Sequence, residues 1–325
     1  MILSTNNILK KINTEINTFK YGSHPQNLYE PISYLMDLGG KRLRPMLVCY
    51  AYSLFENDIS TIIKPSIAVE IFHNFTLMHD DIMDNAPLRR GKPTVHEKWN
   101  NNIAILSGDV MLVKAYQILE TLAPSHFKKV FPAFNQCAAA VCEGQQLDMD
   151  FSQKKVISMD EYIEMIRLKT AVLLGFSLEM GAIIGNANDE NIQHLKLFGE
   201  EIGIAFQIAD DLLDAYGQAD KFGKKVGGDI VENKKTFLSI KALEIASKSE
   251  QKLLENYFSD QEISAEQKIE SVMKIYNSLN IYEITKEEIN KYFESALLHL
   301  GKVKCDIFRK GLLKKFIAEL MERQN

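Results

Sequence analysis

The fold is decided in a stretch of sequence at residues 69–84, which reads VEIFHNFTLMHDDIMD. Its apolar residues include Val69, Phe72, Leu77 and Ile82, and they recur with the 3.6-residue repeat of one helical face. The stretch therefore predicts an amphipathic helix that packs one side against a core and ends in a group of aspartates.

The rest of the chain also indicates helices. The same apolar repeat occurs at residues 195–214, which read LKLFGEEIGIAFQIADDLLD. No proline follows Pro132, which favours long helices because proline in a helix interior costs about 3 kcal/mol. Residues 85–94 and 217–229 break the pattern and are predicted loops. We expect an all-α fold with one domain over residues 1–325, a bundle of long, mostly antiparallel helices around a central cavity.

The overall composition limits the possible partners. The formal net charge of −5 does not favour nucleic acid, and an anionic ligand would require local cations or metal ions. The four cysteines lack CxxC spacing and indicate mostly buried thiols in a reducing, cytoplasmic setting. We expect neither a signal peptide nor stable insertion into a membrane.

Two acidic clusters of the form DDxxD lie within these apolar helices. They comprise Asp80, Asp81 and Asp84 in the first, and Asp210, Asp211 and Asp214 in the second. Residues four apart share one helical face, where like charges are unfavourable unless a cation lies between them. Hard oxygen donors of this kind suit Mg²⁺. A single cluster is equally well a solvated acidic patch. Two identical clusters, if their helices face each other, predict six carboxylates around several divalent ions and one polyphosphate.

Basic residues that could bind phosphate occur close to both clusters. The segment GGKRLRP at residues 39–45 contains two arginines and a lysine, and so does RRGKPT at residues 89–94. Arginine offers a planar fork that matches phosphate oxygens, and lysine offers a point charge. Either run alone is more often a solvated surface patch. Their position beside glycines and the acidic helix favours phosphate binding.

Seven motifs together resemble a known family, the trans-type polyprenyl diphosphate synthases of the farnesyl and geranylgeranyl diphosphate synthase group. In chain order they are GGKRLRP, HDDIMD, RRGKPT, GQQLD, KT, FQIADDLLD and GKKVGGD. The resemblance covers roughly residues 30–240. It implies a Mg²⁺-dependent prenyltransferase of isoprenoid biosynthesis, with three ions per site. It also implies a homodimer whose substrates are isopentenyl diphosphate and an allylic diphosphate: dimethylallyl, geranyl or farnesyl diphosphate.

The resemblance also implies roles for individual residues. The residues that match direct metal ligands of the family are Asp80, Asp84 and Asp210. Supporting positions match Asp81, Asp211 and Asp214, and we assign Asp214 to the metal site as well. Arg89 matches a contact to the allylic diphosphate, and Lys41, Arg44, His73 and Arg90 match the isopentenyl diphosphate pocket. The residues that match the family's contacts to the leaving diphosphate are Lys169, Thr170, Lys224 and Lys234, with Lys225 as an alternative to Lys224. Gln207 matches a glutamine near the developing cation, and Gln145 and Asp148 match a supporting pair that is otherwise a buried polar contact.

The length of the product depends on the helix that precedes the first cluster. Phe75 lies five residues before Asp80, next to Thr76, and a ring there would close the tunnel for the growing chain. We expect a fifteen- or twenty-carbon product, with a lean to twenty, unless Phe75 is ordinary core packing. A class I terpene cyclase or lyase and a non-catalytic synthase subunit stay open as alternatives. The intact DDLLD at residues 210–214 favours the synthase.

Overall fold

Helices make up most of the described chain. The structure, a computed structural model, describes residues 4–217, 226–259 and 262–322. In chain order the α-helices are α1 (Thr5–Thr18), α2 (Gln26–Asp37), α3 (Leu43–Ser53), α4 (Ser60–Met83), α5 (Val95–Lys98), α6 (Asn101–Glu120), α7 (Pro124–Gln153), α8 (Met159–Ile166), α9 (Val172–Ile184), α10 (Asp189–Tyr216), α11 (Gly228–Val231), α12 (Phe237–Ile245), α13 (Lys248–Ser259), α14 (Ala265–Ser278), α15 (Ile281–Lys302) and α16 (Ile307–Glu322). A π-helix, Arg167–Ala171, follows α8, and strands β1 (Leu88–Arg89) and β2 (Lys92–Pro93) form a small antiparallel pair. The predicted all-α fold class is confirmed.

The chain forms two compact units. The first contains the described residues up to Asn135 together with Phe176–Leu195 and Lys304–Leu313. The second contains Gln136–Gly175, Lys196–Val303 and the described residues from Lys314 onward. The first aspartate cluster belongs to the first unit and the second cluster belongs to the second.

The core of the first unit is built around α4, the helix predicted from residues 69–84. Its apolar face is buried, and Phe72 is fully excluded from solvent. The ring of Phe72 packs edge-on against Phe134 at 5.2 Å between centroids, and Phe134 in turn contacts Phe176 at 5.6 Å. Such aromatic contacts add to the free energy of burial. They fix the helix that carries the first cluster.

The end of α4 is determined by Asn85. This residue has a φ of 49°, the left-handed conformation that asparagine tolerates better than most residues. The backbone N–H of Ala86 donates to the carbonyl of Asp81 at 2.9 Å, and that of Asn85 donates to Ile82 at 3.2 Å. This is the Schellman pattern. It stops the helix immediately after Asp84 and leaves that side chain exposed at the helix end.

The predicted loop that follows contains the tight hairpin between β1 and β2. Arg90 and Gly91, its two central residues, both have positive φ, 52° and 73°. A two-residue hairpin of type I′ requires this conformation at both positions, and glycine adopts it without strain. The turn presents the side chains of the RRGKPT motif immediately after the first acidic helix.

Close packing of backbones organises the second unit. A Cβ added to Gly144 of α7 would overlap the backbone of Lys169, and one added to Gly203 of α10 would overlap Ala171. Glycine at these two positions therefore lets α7 and α10 approach the π-helix directly. As a result the π-helix lies against both the GQQLD motif and the helix of the second cluster.

Candidate active site

The three aspartates of the first cluster have different surroundings. Asp81 is buried, whereas Asp80 is partly exposed and Asp84 is exposed. The Arg89 guanidinium donates to Asp81 through Nε at 2.8 and 2.9 Å and through Nη2 at 2.7 Å. A charge-assisted fork of this kind is the strong form of a hydrogen bond. Asp81 therefore holds Arg89, and Asp80 and Asp84 remain accessible for a metal ion.

The basic motif GGKRLRP separates into a buried arginine and flanking cations. Arg42 is buried, donates to the Glu70 carboxylate at 2.8 Å and to the carbonyl of Met36 at 2.7 Å, and has a φ of 49°. It is a structural ion pair. Lys41 on one side is exposed and Arg44 on the other is partly exposed, so these two present the motif's charge to a ligand.

The hairpin meets this motif directly. The Arg90 guanidinium donates from Nη1 to the carbonyl of Gly39. Two basic runs that lie about fifty residues apart in the sequence are thus brought together. This part of the predicted constellation is assembled within the first unit.

The arginines of the two basic motifs affect the protonation of His73. Burial lowers the pKa of its imidazole well below the usual value, and the charges of Arg44, Arg90, Arg89 and Arg42 lower it further. The imidazole is therefore neutral and lies in a positively charged environment, in which Arg42 and Arg89 are also paired with Glu70 and Asp81. Such an environment favours a phosphate group.

Phe75 closes one side of α4 below the first cluster. Its side chain is 9% exposed, and its ring contacts His79 edge-on at 4.8 Å and Phe72 at 5.7 Å. Thr76 is partly exposed and donates its hydroxyl to the carbonyl of His73 at 2.8 Å. The ring is therefore buried and held between two aromatic neighbours.

The second cluster repeats the pattern of burial seen in the first. Asp211 is buried and Asp210 is exposed. Asp211 accepts from the Tyr162 hydroxyl at 2.6 Å, from the backbone N–H of Phe237 at 3.0 Å and from the Gln207 amide at 3.4 Å. Burial raises the pKa of Asp211 to about 7, and the charge of the nearby Asp229 adds to this.

Asp214, the last residue of the cluster, contacts the N-terminal end of α11. Its carboxylate accepts from the backbone N–H of Asp229 at 2.9 Å. After α11 the chain turns through Asn233, whose φ is 58°, and the N–H of Lys234 donates to the carbonyl of Asp229 at 2.9 Å. The same Schellman pattern that ends α4 therefore positions Lys234.

The KT motif lies in the π-helix. The Nζ of Lys169 pairs with the Asp148 carboxylate at 2.5 Å, and the Thr170 hydroxyl donates to the Gln207 side chain at 3.1 Å. A π-turn inside an α-helical run often marks a functional site, because it redirects side chains that a regular helix would space differently. Gln145 is buried three residues before Asp148 on α7.

Lys234 lies among carboxylates. Burial opposes its charge, but Asp229, Asp148 and Asp211 outweigh that effect and raise the pKa of the ammonium group. Its Nζ is 3.6 Å from Asp229. The other lysines assigned to the leaving diphosphate, Lys224 and its alternative Lys225, lie outside the described residues.

Three residues at the site were not assigned a role by the sequence prediction. Asp229 was visible only as the last letter of the glycine-rich motif. Tyr162 lies in no motif, and only the fold shows that it reaches Asp211. Glu70 is the buried partner of Arg42 and looked like one more residue of an amphipathic helix. Within the described ranges, no three His, Cys, Asp or Glu side chains are arranged to hold a metal ion by themselves.

Comparison with known proteins gives consistent matches. A family model described as polyprenyl synthetase matches residues 25–276. The chain is 39% identical over 273 residues to a protein named short chain isoprenyl diphosphate synthase from Methanocaldococcus jannaschii, which covers 84% of this chain and 83% of the relative. It is 37% identical over 327 residues to a geranylgeranyl diphosphate synthase from Sulfolobus acidocaldarius, with 98% and 97% covered. A crystal structure of a geranylgeranyl pyrophosphate synthase is similar, with a TM-score of 0.91, 39% identity and 98% of both chains covered.

Proposed function

Because the chain belongs to the polyprenyl synthetase family, we infer that it elongates an allylic diphosphate with isopentenyl diphosphate. It is a short-chain trans-prenyltransferase, and its substrates are isoprenoid diphosphates. In each cycle the allylic carbon–oxygen bond breaks and inorganic diphosphate leaves. The double bond of isopentenyl diphosphate forms the new carbon–carbon bond, and loss of one proton restores a double bond. The observation that carries the proposal is the second aspartate cluster, which is intact and has its outer carboxylate, Asp210, exposed.

We propose that Mg²⁺ binds at both clusters. The chemistry of the donors fits this ion, since Asp80 and Asp84 on one helix face supply oxygen ligands only, and Mg²⁺ is usually held by one or two carboxylates together with substrate phosphates. Asp210 and Asp214 would hold it at the second cluster. Bound there, the ions would neutralise the charge of the diphosphate and make it a better leaving group. Three ions per site is our expectation for the family.

The first unit supplies the proposed pocket for isopentenyl diphosphate. Lys41, Arg44 and Arg90 would contact its phosphates, and the neutral His73 would donate a hydrogen bond without adding charge. Arg89, held by Asp81, would contact the allylic diphosphate. The positive potential around His73 supports this assignment, because it lets an anion bind through side chains of the protein.

The second unit supplies residues that we propose bind the leaving diphosphate. Lys169 and Thr170 in the π-helix, with Lys234 and either Lys224 or Lys225, would follow the negative charge as the carbon–oxygen bond breaks. Gln207 would face the developing allylic cation. Asp148 holds Lys169 in place before substrate arrives.

We propose a product of fifteen or twenty carbons, with twenty favoured. The buried ring of Phe75 supports a short product, and the relative from Sulfolobus acidocaldarius is named for a twenty-carbon one. Replacing Phe75 by alanine should lengthen the product by one or more five-carbon units, and chromatography of the dephosphorylated products would detect this. The matched control is Phe198→Ala, a buried ring in α10. An unchanged chain length in Phe75→Ala would remove this ring as the limit.

The alternatives are separated by one assay. Labelled isopentenyl diphosphate is incubated with Mg²⁺ and, in turn, dimethylallyl, geranyl and farnesyl diphosphate. A synthase makes a longer diphosphate, whereas a terpene cyclase makes a hydrocarbon and a non-catalytic subunit makes nothing. We expect a longer diphosphate and no hydrocarbon.

We propose further that the two compact units form one catalytic domain, which works as a homodimer in the cytoplasm. The family match spans residues of both units. Among the described helices α6 is long and apolar enough to cross a membrane, yet it packs against α4 and α2. Its exposed apolar residues, Ile105, Leu106 and Val113, support a dimer surface. Light scattering should find a dimer that Leu106→Glu converts to monomer.

A further inference from the structure

We propose that Tyr162 is a positioning residue for the second aspartate cluster, and that it acts by fixing Asp211. This inference rests on the proposed function, because the elements that Asp211 connects carry the residues assigned to the leaving diphosphate. Asp211 then organises the site, and Asp210 beside it binds metal.

The contacts of Asp211 indicate an organising role. Its carboxylate is 7% exposed and the Tyr162 side chain is 1% exposed. The distance of 2.6 Å between the Tyr162 hydroxyl and Oδ2 is short for a hydrogen bond between two oxygen atoms. Oδ2 also accepts from the Phe237 N–H, and Oδ1 accepts from Gln207. Three donors already surround this buried group, so little of it is left for a metal ion.

The network joins the elements that carry the proposed diphosphate ligands. Phe237 is the first residue of α12, three positions after Lys234, so its hydrogen bond to Asp211 holds that end of the Lys234 segment. Gln207 accepts from Thr170 in the π-helix. A single carboxylate therefore connects α8, α10, the π-helix and the start of α12.

Removal of the Tyr162 hydroxyl alone tests the positioning role separately from the packing of the ring. Tyr162→Phe keeps the ring that fills the core and leaves Asp211 without its shortest hydrogen bond. Groups that orient metal ligands from the next layer typically change activity or metal affinity by roughly tenfold to a hundredfold when they are lost. The residues proposed for isopentenyl diphosphate belong to the first unit, whereas the residues of this network belong to the second.

The test compares Tyr162→Phe with Tyr50→Phe. Tyr50 is also buried, at 2% exposed, and its hydroxyl makes a 2.8 Å hydrogen bond to Thr5 outside the proposed site. We measure kcat, the KM of each substrate, and the Mg²⁺-dependent binding of inorganic diphosphate by calorimetry. For Tyr162→Phe we expect kcat/KM for the allylic substrate and the affinity for diphosphate to fall by roughly tenfold to a hundredfold. The KM for isopentenyl diphosphate should stay within about twofold. Values equal to those of Tyr50→Phe would overturn the proposal.

A second pair of variants separates positioning from metal binding. Asp211→Asn keeps an oxygen that can accept from Tyr162 and Phe237, so it should retain activity within about tenfold of wild type. Asp210→Asn should lose far more. If Asp211→Asn is as inactive as Asp210→Asn, Asp211 is a metal ligand and the inference is wrong. If Asp210→Asn is fully active, the proposed function fails instead.

Discussion

The two aspartate clusters have the same sequence pattern but are held by different chemistry. In both, the middle residue is buried and the first is accessible. Asp81 is fixed by a cation, Arg89, whereas Asp211 is fixed by a tyrosine hydroxyl and a backbone N–H, which are neutral donors. The repeated motif therefore has a repeated arrangement, in which the middle aspartate is buried and hydrogen-bonded while the first is more exposed to solvent.

The electrostatic surroundings of the clusters differ in sign. Near the first, burial and then the charges of arginines lower the pKa of His73. Near the second, desolvation opposes the charge of Lys234, but carboxylates outweigh it and raise the pKa. The first unit can attract a diphosphate through its own side chains. At the second, an anion would approach acidic groups, so the metal ion is needed to reverse the local charge. We expect the first unit to bind isopentenyl diphosphate without Mg²⁺.

The largest expected effect comes from the accessible aspartates. Asp80→Asn and Asp210→Asn should each lower kcat/KM by at least about 10²–10³, because each removes a charge that acts on the leaving group. Steady-state rates at saturating Mg²⁺ give the comparison, with the exposed Asp109→Asn as control. A wild-type rate in either variant would break the equivalence of the two clusters.

A smaller effect distinguishes Asp81, which is held by a cation, from Asp211, which is held by neutral donors. Arg89→Met leaves the buried Asp81 carboxylate without its counter-ion and should lower the free energy of unfolding by about 1–3 kcal/mol. Tyr162→Phe should lower it by about 1 kcal/mol, since Asp211 keeps two donors. Urea unfolding measures both. If the uncompensated charge is the cause, Arg89→Met combined with Asp81→Asn recovers part of the loss. An equal loss of unfolding free energy in Arg89→Met and Tyr162→Phe would argue against this distinction.

The last effect is a pH dependence in the first unit, which develops gradually as the pH falls. In the unfolded chain His73 takes up a proton near pH 6.5, but in the folded protein its lowered pKa prevents this. The stability linked to His73 is therefore complete above about pH 6.5 and decreases as the pH falls, by up to about 1.4 kcal/mol per unit. His73→Gln should flatten the curve of unfolding free energy between pH 6.5 and 5, whereas the exposed His24→Gln should not. Equal slopes in wild type and His73→Gln would contradict the assignment.

The sequence predicted the helices of both clusters because their apolar repeat and their aspartates coincide. It could not distinguish Asp81 from Asp211, since the partners of these residues lie 8 and 49 positions away and are chosen by the fold. The three cations of GGKRLRP cannot be distinguished in the sequence, yet in the fold Arg42 has a left-handed backbone and is buried beside Glu70. The π-helix also has no sequence signal. It arises where Gly144 and Gly203 admit neighbouring backbones.

We propose that both clusters act on one diphosphate, and a double-variant cycle tests this most directly. Single-turnover rates are measured for wild type, Asp80→Asn, Asp210→Asn and the double variant, with the allylic substrate in saturating Mg²⁺. If both carboxylates stabilise the same leaving group, either substitution alone disables it and the double variant is about as slow as the slower single one. Losses that multiply, from about 10³ in each single variant to about 10⁶ in the double, would show that the clusters act independently.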